Sequence, residues 1–96
     1  MQTADKKALT KTMCISNEGG LHARPASELV RCAMRFKSQI TITANGRTCS
    51  GQSIMDIMSA DIRKGAEIVV QAEGVDAEKA IAAIERCIGE LSEKGF

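Results

Sequence analysis

The dipeptide Asn45-Gly46, set between two alternating runs, restricts the architecture more than any other segment. A two-residue type I′ turn needs positive φ at both central positions, and Asn-Gly meets that need best. Upstream, Gln39 to Ala44 puts Ile40, Ile42 and Ala44 on one face, so Arg47 to Gly51 is expected to return as the antiparallel partner strand. A two-stranded ribbon with one apolar face is not stable alone; it needs more strands and a covering layer. Two further alternating runs supply the strands, Leu9 to Ser16 and Ala66 to Glu73. Three- and four-residue spacing supplies the helices. The first runs from Ala23 to Phe36, with Ala26, Leu29, Val30, Ala33 and Phe36 on one stripe. The last runs from Asp76, as its cap, to about Leu91, with Ala77, Ala80, Ile81, Ile84, Cys87, Ile88 and Leu91 facing inward. Between them, Ser53 with Asp56 three residues on reads as a variant capping box opening a short helix, and Asp61 to Gly65 as a loop. The order is β-α-β-β-α-β-α, an α+β fold: a four-stranded antiparallel sheet with three helices on one face.

Ninety-six residues hold one core, so residues 9–96 form a single domain behind a polar leader at 1–8. A formal charge of +1, no Trp or Tyr and only two Phe leave neither a basic patch nor a stacking platform for nucleic acid. No apolar run is long enough to span a membrane, and Met1-Gln2-Thr3-Ala4-Asp5 is too polar for a signal peptide. Cys14, Cys32, Cys49 and Cys87 contain no Cys-x-x-Cys pair and have a single histidine to join them. They read as reduced thiols of a cytoplasmic protein with neither a metal nor another cofactor.

That histidine, His22, lies in Gly20-Leu21-His22-Ala23-Arg24-Pro25-Ala26, at a glycine-led turn where the first helix begins. Such a residue either caps the helix or stands free as a nitrogen nucleophile. The first N–H groups of a helix have no internal partner and favour an anion, and Pro25 sacrifices nothing there. Arg24 offers a rigid donor fork suited to phosphate oxygens. The spacing therefore points to a site that receives and donates a phosphoryl group.

This string resembles the active-site signature of the HPr phosphocarriers of bacterial sugar phosphotransferase systems. Ser53-Ile54-Met55-Asp56-Ile57-Met58-Ser59 resembles their regulatory-serine segment, and Gln39 to Gly46 their second strand and hairpin turn; the likeness spans roughly residues 9–92. It implies the open-faced β-sandwich of that family. It also implies a phosphohistidine at His22, charge neutralisation by Arg24, transfer from phosphorylated enzyme I to an enzyme IIA component, and a monomeric carrier rather than a free-standing turnover enzyme. Ser53 corresponds to the serine that HPr kinase/phosphorylase modifies in many bacteria; by its residue type alone it is an ordinary helix cap. Ile54, Met55 and Met58 would form the partner-binding face, since a two-turn helix can bury only one side. Ala60-Asp61 departs from the Leu-Gly usual in the sugar-system proteins, and a similar acidic residue occurs in nitrogen-regulatory paralogues. The alternatives are therefore such a paralogue, or a regulatory adaptor whose phosphorylation state controls other proteins. His22 argues against the Crh-type regulators, which lack the histidine.

Overall fold

In the computed structural model, which describes residues 7–96, the elements are β1 (Lys7–Cys14), α1 (Ala23–Ala33), β2 (Gln39–Ala44), β3 (Arg47–Ser50), α2 (Ile54–Ser59), β4 (Glu67–Gly74) and α3 (Ala77–Glu93). The strands form one sheet in the order β1-β4-β2-β3, every neighbouring pair antiparallel. This is the expected architecture. Strand alternation explains its open face: Ile68, Val70 and Ala72 of β4 and Ile40, Ile42 and Ala44 of β2 are buried, while Glu67, Val69, Glu73, Gln39 and Thr43 face solvent. The helices cover the apolar side, where Ile15, Leu21, Leu29, Ile57, Ile62, Ile84 and Leu91 complete the core.

Several boundaries shift. β1 begins at Lys7 and ends at Cys14, two residues ahead of the expected Leu9 to Ser16; Ile15 leaves the ladder to exchange hydrogen bonds with the turn before β4, donating to Ala66 O (2.9 Å) and accepting from Gly65 N (2.6 Å). Of the polar leader assigned to 1–8, residues 1–6 lie outside the described residues. β3 stops at Ser50 and β4 runs Glu67–Gly74. α1 ends at Ala33, three residues before Phe36, because the chain tightens there: Arg35 N donates to Cys32 O and Phe36 N to Ala33 O. Phe36 still packs on the core.

Asp76 sits at the N-cap position of α3 but makes no side-chain cap. Its carboxylate instead accepts from Ser38 Oγ (2.5 Å), Lys37 N (2.8 Å) and Ser38 N (2.9 Å), joining α3 to the turn before β2. These bonds, the Ser38 hydroxyl foremost, hold the carboxyl below its ordinary pKa. All four cysteines are free thiols, but they do not share one role: Cys14 is exposed, whereas Cys32 of α1 lies beside Cys87 of α3. The hydrogen bond from Cys87 brings Cys32 down to about 7, with Arg35 and Arg86 assisting, while the same bond and burial push Cys87 up.

Candidate functional site

His22 occupies the N-cap of α1 with extended backbone (φ −107°, ψ 162°). Its ring makes no cap hydrogen bond, so the capping alternative falls away; only its carbonyl joins the helix, accepting from Ala26 N at 3.2 Å. The N–H groups of Ala23 and Arg24 have no intrahelical acceptor, and Pro25 has none to offer. The ring is 46% exposed, and its Nε2 edge faces Asp61, with Oδ1 at 3.8 Å.

The loop that presents His22 is held from below. Gly20 (φ +64°) packs so closely on Ile62 that an added Cβ would lie 2.4 Å from its carbonyl oxygen. Leu21 N donates to that oxygen at 2.9 Å, and the Leu21 side chain is fully buried. Asn17, also buried, donates from Nδ2 to Gly20 O at 2.8 Å; its Oδ1 has no partner among the described residues. Ala23, directly after His22, sits at φ +35°, a left-handed value that a residue with a Cβ adopts at a cost.

Arg24 does not converge on His22. Its guanidinium lies over the ring of Phe96, 5.2 Å from the centroid, and Phe96 O accepts from Gly19 N at 2.8 Å. The sequence spacing placed Arg24 near the helix start but carried no sign of this aromatic partner 72 residues away.

Asp61, which the sequence marked only as a departure from the family pattern, is the site residue it left without a role. Its carboxylate meets both His22 and Arg63, whose Nε donates to the same Oδ1 at 3.1 Å. The available signal was the Ala60-Asp61 departure from the Leu-Gly expected from the resemblance. Beyond it, Arg47, Arg63 and Lys64 rim an open cleft of about 480 Å³ that Asp61 also lines, with Arg63 paired to Asp61 (3.1 Å) and Lys64 to Glu18 (2.6 Å).

Ser53 caps α2 as expected, its Oγ accepting from Asp56 N at 3.2 Å. The reciprocal half of the box is displaced: Asp56 Oδ2 accepts from Ser50 N (3.4 Å), not from Ser53 N. Of the apolar residues beside Ser53, Ile57 is buried, while Ile54, Met55 and Met58 are 39%, 78% and 38% exposed. No group of three potential metal ligands and no helix long and apolar enough to cross a membrane occurs among the described residues.

Comparison with known proteins places this geometry in a family. Residues 9–90 match the family described as PTS HPr component phosphorylation site. The chain is 49% identical over 72 residues to the phosphocarrier protein HPr of Mycoplasma capricolum, covering 75% of this chain and 81% of that one. The crystal structure of HPr from Thermoanaerobacter tengcongensis superposes with a TM-score of 0.85 at 38% identity, covering 88% of this chain and 96% of that one. That of Bacillus anthracis HPr gives 0.80 at 40% identity, covering 83% and 95%. The chain belongs to the HPr family of phosphocarrier proteins of the phosphotransferase system.

Proposed function

We propose that His22 carries the phosphoryl group, taking it from phosphorylated enzyme I and passing it to an enzyme IIA component. The observation that carries this reading is the state of the His22 ring: half-exposed, released from capping, with Nε2 turned toward Asp61; Nδ1 is the nitrogen we assign as nucleophile. The Nδ1 lone pair forms the new N–P bond while the donor's P–N bond breaks and its electron pair returns to the donor nitrogen. N–H groups at the start of α1 orient the phosphoryl oxygens. Arg24 reaches them only by leaving Phe96, so its role is to neutralise charge as the group arrives.

The exposed Ile54, Met55 and Met58 form the face that docks successive partners, adaptable because methionine is flexible. Ser53, at the start of the same helix, would be the target of HPr kinase/phosphorylase, and its phosphorylation would set about two negative charges beside that face. Such a carrier works in the cytoplasm. Asp61 favours one second reading, a nitrogen-regulatory acceptor in place of a sugar-system one.

The test is labelling with phosphoenolpyruvate and enzyme I, followed by addition of sugar-type or nitrogen-type enzyme IIA. His22→Ala is expected to lose all acid-labile label while keeping its circular dichroism spectrum. Label persisting at the parent rate would overturn the assignment, and the acceptor that discharges the phosphoprotein identifies the branch.

A further inference from the structure

We infer that Asp61 is a positioning residue for His22: its carboxylate holds the Nε2 edge of the ring, committing that nitrogen to N–H and leaving Nδ1 for phosphorus. This rests on His22 being the phosphoryl carrier.

Three observations support it. Asp61 Oδ1 lies 3.8 Å from Nε2, within ion-pair reach though longer than a closed hydrogen bond. Catalytic contacts of this kind commonly tighten as charge develops. Second, Asp61 holds a left-handed backbone, φ +53°, where glycine would sit without cost. The strain is held in place by Asn45, whose Nδ2 donates to Ala60 O (3.0 Å) and Asp61 O (3.2 Å). This left-handed residue is the one that ends α2, its N–H donating to Met58 O at 3.2 Å, so the backbone that carries the carboxylate is fixed on both sides. Third, the two loops are stitched together at their backbones, through Leu21 N to Ile62 O at 2.9 Å, so the carboxylate and imidazole cannot drift apart independently.

The charge balance favours the same role. When Nδ1 attacks, the ring keeps its Nε2 proton and becomes a phosphorylated imidazolium, and that positive charge faces Asp61. The carboxylate would also repel the incoming phosphoryl group. Arg63, bonded to the same oxygen at 3.1 Å, offsets that repulsion.

Asp61→Gly is the decisive variant, because glycine accepts the backbone angle and the fold should be kept or slightly stabilised. With enzyme I in excess and phosphoenolpyruvate, the maximal rate of His22 labelling should fall about two- to fivefold, the range expected for one half-exposed ion pair, with KM for enzyme I within about twofold. In the unphosphorylated protein, 15N spectra of His22 should show the Nε2–H tautomer losing population toward that of free histidine. Asp61→Asn keeps an acceptor oxygen without the charge, and should retain the tautomer while recovering only part of the rate. Parent-like rate and tautomer in Asp61→Gly would overturn the inference, as would a change confined to KM, which would make Asp61 a docking contact. Failure of the carrier reading is separately visible, because the parent would then carry no label at His22.

Discussion

Gly20→Ala puts a number on how tightly the His22 loop is fastened. Gly20 stands at φ +64°, and a Cβ there would lie 2.4 Å from Ile62 O and 2.9 Å from Arg63 Cα, both backbone atoms unable to swing aside. Gly46 is the internal control: it has φ +76° and nothing within 4 Å of the added atom. Both substitutions incur left-handed strain of about 1–2 kcal/mol, less about 0.4–1 kcal/mol recovered from a stiffer unfolded chain. Gly46→Ala should therefore cost about 0.5–1 kcal/mol. Gly20→Ala adds overpacking of about 1–3 kcal/mol and the loss of the Leu21–Ile62 hydrogen bond, about 0.5–1.5 kcal/mol. The gap between the variants should be about 2–4 kcal/mol, or roughly 8–30 °C in Tm for a domain of this size. Urea unfolding followed by circular dichroism measures it, since the chain has no Trp or Tyr for fluorescence. A gap below about 1 kcal/mol would show that the loop yields freely, and the picture of a fastened His22 would fail.

Two further perturbations probe regions away from the histidine. Ser53→Asp should change stability by less than about 1 kcal/mol, because aspartate caps as well as serine does; it should slow labelling of His22 by enzyme I, with added salt restoring part of the rate, and parent-like labelling at low salt would remove α2 from the docking face. Asp76→Asn tests the tie between α3 and the turn before β2. Since the folded pKa of Asp76 is depressed, its contribution is present above the unfolded carboxyl value of about 3.9 and is lost as pH falls through the folded one. The stability difference between parent and variant should therefore be full at pH 6 and shrink below about pH 4, and a difference independent of pH would contradict it.

The residues whose partners lie within a few positions were the legible ones. Asn45-Gly46 carried its turn, with φ of +53° and +76°, because the requirement is local. Ser53 carried its cap, and the stripes of α1 and α3 carried their buried faces. What escaped depends on distant segments. Asp76 has the residue type of a cap, yet its acceptor oxygens are claimed by Lys37 and Ser38, whose position is set by the approach of α1 to α3. Arg24 reads as a phosphate ligand, and only the fold brings Phe96 beneath it. Asp61 is 39 positions from His22, and the pair meets where Leu21 N bonds Ile62 O, both residues fully buried. The polar half of the site was thus hidden in the packing of its apolar neighbours.

That arrangement has an energetic logic. The non-glycine residues with left-handed backbone among the described residues are Ala23, Asn45 and Asp61. Asn45 is accounted for by its turn. Asp61 takes the left-handed position that ends α2, its N–H on Met58 O at 3.2 Å, and faces the His22 ring; Ala23, directly after His22, has no such turn to satisfy. Each costs about 1–2 kcal/mol, against a total stability of about 5–15 kcal/mol for a typical domain. Strain of that size persists only where stronger contacts hold it. Here those contacts are Leu21, one residue before His22, and Ile62, one residue after Asp61, both with no exposed surface. Burying two such side chains contributes about 3–6 kcal/mol, enough to offset both strained residues. The same buried pair that stabilises the sheet-and-helix core therefore sets the distance between imidazole and carboxylate. A loss of packing beneath the loop would reach His22 first, because the strained residues are the least stable part of what that packing holds.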